Sequence, residues 1–201
     1  MEDCKRNLTR EQLFEVSAKL FQEKGFKSAS MEDIAQALGI RKSSIYYYIK
    51  SKEELLREIS VRTMNMLLDA AQKIVSDISD PKERIEALID SHVRLLGENL
   101  DLFTCTLREL TPTNAGPFWE EVVDLRDRYE GLIRWAIRDA KDKGVLKEID
   151  EKMVGFALLG MINWMVRWYS PDGERSCGEI AQIWTDIFLN GAIRREKDNG
   201  V

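Results

Sequence analysis

The stretch SMEDIAQALGIRKSSIYYYIKSKEEL, residues 30–55, holds two helical patterns on either side of a glycine turn. Ser30 followed by Asp33 is an N-cap pair, with a carboxylate in place of the usual Glu or Gln. Met31, Ile34, Ala35 and Leu38 form a one-sided apolar stripe, and Gly39 ends it. After a short turn, a third helix is expected over residues 42–49. Three adjacent tyrosines, Tyr46, Tyr47 and Tyr48, cannot share one buried face, because successive helical residues are rotated by about 100°. Ile45 and Ile49 lie within about 40° of each other and set the buried direction. Tyr47 then points about 180° away, with Tyr46 and Tyr48 about 80° to either side. Ser43 and Ser44 fall on the outer half, Lys42 stands at the start, and Lys50 and Lys52 lie just beyond. Hydroxyls, phenols and ammonium groups all hydrogen-bond phosphate oxygens. The pattern is a helix-turn-helix whose second helix enters a DNA major groove. The same geometry also suits a three-helix head whose tyrosines pack on a protein partner.

Working outward, Thr9 with Gln12 is a capping box, and Leu13, Val16, Leu20 and Phe21 follow at helical spacing up to Gly25. Ser51 with Glu54 opens a long helix to about residue 78, ended by DISDP. Five more helices are expected: a fifth over residues 81–97, a sixth over 101–110 and, after the loop TPTNAGP, a seventh from Trp119 to near Gly144. The eighth, over residues 151–169, is apolar on nearly every side, and the ninth carries Ile180, Ile183, Trp184 and Ile187 up to Gly191. The tail REKDNGV returns to charge. The expectation is an all-α chain of nine helices, three of them in a compact head, divided into a DNA-binding domain at 1–52 and a body at 53–201.

The 201 residues suffice for a sizeable core, and 44% hydrophobic with 32% charged residues is a folded composition. No run approaches the roughly 20 apolar residues of a membrane span, and the N-terminal MEDCKRNLTREQ is too polar for a secretory signal, so a cytosolic location is expected. Cys4, Cys105 and Cys177 have no metal-ligand spacing and are expected as free thiols. Net charge is −5, yet residues 1–50 carry 9 Lys/Arg against 7 Asp/Glu, a positive head on an acidic body. There is no P-loop, GxGxxG or GxSxG, and a single histidine. No enzyme, cofactor or metal site is expected.

Residues 9 to about 60, from LFQEKGFKSAS through KSKEELL, closely resemble the N-terminal signature of the TetR family of transcriptional repressors. The resemblance implies a TetR-like fold, a homodimer with one head per subunit, and a palindromic double-stranded operator. By position in the motif, Ser30 resembles the residue that caps the second helix against a phosphate. Lys42, Ser43 and Ser44 resemble the base-facing start of the recognition helix, and Tyr46, Tyr47, Tyr48 and Lys52 the phosphate clamps. Arg41 stands where the family often has a Ser or Thr cap, and Ile49 replaces the common Phe.

After residue 60 the resemblance weakens. FALLGMINWMVRWY with the ninth helix looks like the family's dimer surface, which implies an interface at Trp164, Ile180, Ile183, Trp184 and Ile187. VRWYSPDG is similar to a subgroup that senses acyl-CoA thioesters or related acids. A multidrug-type regulator of lipophilic compounds is the alternative, and a helical interaction scaffold without DNA binding is the alternative of another class. The candidate residues for a small-molecule effector are His92, Trp119, Arg126, Tyr129, Asn163, Trp164, Arg167 and Trp168. An unpaired buried guanidinium is costly, so Arg167 needs a carboxylate, a carbonyl or an anionic ligand. His92 on the apolar stripe of the fifth helix is either a satisfied core residue or a ligand group. Arg126 is expected to be solvated or paired with a nearby acid.

Overall fold

A computed structural model describes residues 9–192 of the chain. Cys4 and the charged tail from Arg195 lie outside them. Among the described residues ten helices follow one another: α1 (Arg10–Lys24), α2 (Met31–Leu38), α3 (Lys42–Ile45), α4 (Lys52–Asp77), α5 (Pro81–Glu98), α6 (Leu100–Glu109), α7 (Pro112–Ala115), α8 (Trp119–Asp142), α9 (Glu151–Asn163) and α10 (Cys177–Ala192). Nine correspond to the expected helices. The tenth, α7, is a single turn in the stretch expected as loop, where Thr111 caps Asn114 N and Pro112 sits at the start. A 3-10 turn, Gly116–Phe118, leads into α8.

Local chemistry explains the boundaries. The Thr9–Gln12 and Ser30–Asp33 boxes are both closed in both directions. Gly39 ends α2 with φ 66° and donates its N–H to Ala35 O and Gln36 O, a left-handed conformation that costs glycine no β-carbon clash. Ser51 Oγ accepts from Glu54 N, but the Glu54 carboxylate takes the N–H of Lys50 rather than that of Ser51. Two helices are shorter than their apolar pattern. The α3 helix stops at Ile45, and the chain continues in a tightened turn held by Tyr48 N to Ile45 O and Ile49 N to Ile45 O. The α9 helix stops at Asn163 and passes into the 3-10 turn Trp164–Arg167, where Trp168 N reaches Met165 O.

The chain divides into two compact units, residues 1–63 with 100–123, and residues 64–99 with 124–201. Beyond the expected head at 1–52, the first unit takes in the start of α4 and α6. In the first unit α1 packs along α6 and against α2, and α2 against α3. Leu13, Phe21, Ile34, Ile45, Ile49, Leu55, Leu56, Ile59 and Phe103 are almost wholly buried there. Each buried side chain of this size contributes about 1.5–3 kcal/mol relative to exposure. Thr106 Oγ1 bonds Thr63 Oγ1, and Arg57 donates to Glu121 through Nε and Nη2 at 2.5 Å each.

In the second unit α5 packs along α10. Gly97 allows a close approach: a β-carbon there would fall 2.1 Å from Cys177 Sγ, whose thiol donates to the Tyr169 hydroxyl at 3.1 Å. Arg84, 4% exposed, donates to Ile78 O, Ser79 O and Asp139 Oδ2 and stacks on Trp135. A buried guanidinium is tolerated because these acceptors replace water. Ile180 is 3% exposed. Its expected place in a subunit interface is corrected: it faces the core of its own unit. No described helix is long and apolar enough to cross a membrane.

Candidate nucleic-acid interface

The outer face of α3 and the turn after it follows from Ile45 and Ile49, which are 0% and 1% exposed. With these two anchored, Tyr47 is thrust outward at 87% exposure and Tyr46 at 45%, while Tyr48 is half-buried and meets Tyr47 edge to face at 5.4 Å. Lys42, Ser43 and Ser44 are exposed, and the Lys42 ammonium lies 3.6 Å from the Glu32 carboxylate on α2. That pair is solvent-facing and weak, so the lysine can exchange partners. Arg41 precedes α3 without a side-chain cap. Ser30 is exposed at the start of α2, but its hydroxyl donates to Asp33 Oδ2 at 2.6 Å. Bonds from Lys24 and from Ser30 hold the Asp33 carboxyl well below the usual range, so it stays an acceptor.

Lys52, expected as a phosphate clamp, is held by bonds within the chain. Its ammonium donates to Phe26 O at 2.7 Å, Ala29 O at 2.9 Å and Lys27 O at 3.3 Å, and lies 4.6 Å from the Phe26 ring centroid. An ammonium has three N–H donors. All three have carbonyl acceptors within the protein.

The expected effector residues are divided between the two units. Trp119 belongs to the first unit and the other seven to the second. Arg126 is exposed and donates to Asp127. Arg167 is also exposed, with its guanidinium over the Trp164 ring at 5.6 Å. The expected burial of Arg167 is therefore corrected: it lies on the side of α9 and the following turn where Met153, Phe156 and Trp164 are exposed as well. Asn163 is half-buried. His92 and Tyr129 do meet, with Nδ1 and Oη 3.0 Å apart, both nearly enclosed. Burial pushes the His92 pKa down to about 3 and the Tyr129 phenol up. A neutral imidazole with its proton on Nε2 accepts the phenol proton at Nδ1.

The depressed imidazole has a stability consequence. Protonation below the ordinary 6.5 favours the unfolded chain, so His92 contributes stability above pH 6.5 that is lost as pH falls toward 3. Urea unfolding at pH 7 and pH 5 is expected to show a loss of about 1–2 kcal/mol in the wild type. The loss should be largely absent in His92→Gln, and an equal loss in both would assign it to other groups.

Large apolar groups are exposed on the last two helices and the turn between them. Trp164 is 62%, Trp168 50%, Ile183 38% and Ile187 59% exposed, and Met153 and Phe156 add to them. Trp184 is half-buried, its ring 6.1 Å from that of Trp168. Exposed apolar surface on this scale marks an interaction surface.

Comparison with known proteins accords with this geometry. Residues 13–59 match the family described as bacterial regulatory proteins, tetR family, and residues 79–192 match the tetracyclin repressor-like C-terminal domain. The chain is similar to the TetR family transcriptional regulator PfmR from Thermus thermophilus, with 37% identity over 90% of this chain and 99% of that one, TM-score 0.81. It is 25% identical to the HTH-type transcriptional repressor KstR2 of Rhodococcus jostii over 90% of each chain. It shares its fold with AibR, whose structure was solved in complex with isovaleryl coenzyme A and operator DNA, with 24% identity over 88% of this chain and 96% of that one, TM-score 0.76.

Proposed function

The chain belongs to the TetR family of bacterial regulatory proteins, and on that premise we propose that it is a dimeric repressor that reads a palindromic operator with α2 and α3 and leaves it on binding an acyl-CoA thioester. The observation that carries the DNA reading is the outward face of α3: Tyr47 is 87% exposed directly opposite the buried Ile45 and Ile49, beside exposed Lys42, Ser43 and Ser44. In this reading Lys42, Ser43 and Ser44 reach base edges. Tyr46, Tyr47 and Tyr48 hold the sugar-phosphate backbone, and the start of α2 at Ser30 meets a phosphate. A second copy of the chain covers Trp164, Ile183, Trp184 and Ile187.

The acyl-CoA class is supported by AibR, which binds isovaleryl coenzyme A, and by the VRWYSPDG stretch. The buried His92–Tyr129 pair supplies a polar contact inside the second unit. Arg167, at the surface, is left out of the effector set. A ligand releases the operator only by the margin with which it prefers the non-binding state. Both α4 and α8 contribute residues to both units, and such a preference acts on them.

The test is fluorescence anisotropy on a duplex selected from random-sequence DNA by the protein. Isovaleryl-CoA or a longer acyl-CoA is expected to weaken binding tenfold or more, whereas free coenzyme A and lipophilic cations leave it unchanged. Release by the cations alone would overturn the thioester reading.

A further inference from the structure

The backbone of Phe26 is gripped on both sides. Its N–H donates to Glu109 Oε2 at 3.0 Å, and its carbonyl accepts from Lys52 Nζ at 2.7 Å. Glu109 closes α6, and Lys52 opens α4. All three residues lie in the first unit, although Glu109 is 83 positions from Phe26. The end of α6 is itself fixed, because Asn114 Nδ2 donates to Glu109 O. The Phe26 ring is buried and meets Phe21 edge to face at 5.2 Å, so side chain and backbone are held together.

The segment so gripped is the connection between α1 and α2. It turns at Gly25, with φ 78°, and its own backbone bond runs from Ala29 N to Gly25 O. Lys52 also takes the carbonyls of Lys27 and Ala29, and the Lys24–Asp33 ion pair at 2.5 Å spans the same connection. Ser30, the cap of α2, follows directly, and α3 packs on α2. Where the connection is placed, the recognition surface is placed. Displacing a contact surface by about 1 Å costs much of what its geometry supplies.

We propose that Glu109 and Lys52 form a two-sided clamp on the Phe26 peptide that sets the position of α2 and α3, and that both are positioning residues for DNA binding rather than DNA contacts. The proposal rests on the reading of α2 and α3 as the DNA-binding surface. It makes the head dependent on α6, a helix outside the helix-turn-helix.

Two measurements on the full-length chain test it. The first, made without DNA, is amide hydrogen exchange at Phe26. Glu109→Leu is expected to speed exchange at this amide about tenfold while amides of the α5–α10 core keep their rates. Glu109→Gln, whose amide oxygen still accepts, should restore the wild-type rate. The second is anisotropy against the selected duplex over a range of KCl concentrations. Lys52→Met and Glu109→Leu should each weaken binding about tenfold with an unchanged slope of log affinity against log salt, and Glu109→Gln should bind as wild type. A phosphate contact would instead lower the slope by about one per subunit. A lowered slope in Lys52→Met, or unchanged Phe26 exchange in Glu109→Leu, overturns the clamp. If the wild type selects no duplex, the DNA reading fails, while the exchange measurement still decides whether the clamp holds the loop.

Discussion

Ile187→Glu is expected to sediment as a monomer and to lose about a hundredfold or more in affinity for a palindromic duplex. Ile187 is 59% exposed on α10, so a carboxylate there is solvated in the single chain and leaves the core of its unit intact. In a twofold dimer the substitution enters twice, and each carboxylate is carried into an apolar contact without a partner. Such a charge costs several kcal/mol, comparable with the whole surplus that holds many interfaces together. The DNA consequence follows from linkage: joining two heads multiplies affinity by about 10²–10⁴ over one half-site. A monomer forfeits that gain although no residue of the head has changed. Ile180→Ala serves as a contrast. Ile180 is 3% exposed, so its truncation should cost fold stability, about 2–4 kcal/mol, before it touches assembly. An Ile187→Glu protein that remains dimeric would place the interface elsewhere.

Tyr47→Ala is expected to weaken operator binding by about a hundredfold, and Tyr47→Phe by about tenfold or less. At 87% exposure the ring has little to lose in the free protein, so the substitution should leave thermal stability within about 0.5 kcal/mol. What it loses is the contact made only in the complex. A hydrogen bond to a charged phosphate contributes about 1.5–3 kcal/mol, and ring packing on the sugar adds to it. Every loss occurs in both half-sites of a dimer. Phe keeps the packing and gives up the bond. Anisotropy titrations with matched melting curves check this, and equal affinity in wild type and Tyr47→Ala would remove α3 from the interface.

The recognition surface is legible in the sequence because it depends on short-range geometry. Three tyrosines beside Ile45 and Ile49 can be arranged in one way on a helical turn, and Tyr47 is as exposed as the rotation requires. The capping boxes at Thr9 and Ser30 are similarly local and closed as their residue types demand. Long-range features are not legible. Nothing near Lys52 announces that its ammonium reaches back 26 residues to Phe26 O, and an exposed phosphate clamp is what the motif alone suggests. Glu109 carries no local signal, since its partner is 83 residues away. Arg167 departs from its expected place for a related reason. Its burial depends on what covers the outer side of α9, where Met153, Phe156 and Trp164 are exposed as well. Ile180 shares its helical pattern with Ile183 and Ile187, and periodicity alone does not tell which side of α10 meets α5 and which remains for a partner.

The central claim is that paired α2–α3 surfaces read DNA sequence. Its most direct measurement is the affinity of the wild-type protein for the selected palindromic duplex against a scrambled duplex of equal length and composition, at about 150 mM KCl. The account predicts a ratio of about a thousandfold or more, as specific binding by a dimer requires. Equal affinity for the two duplexes would contradict it.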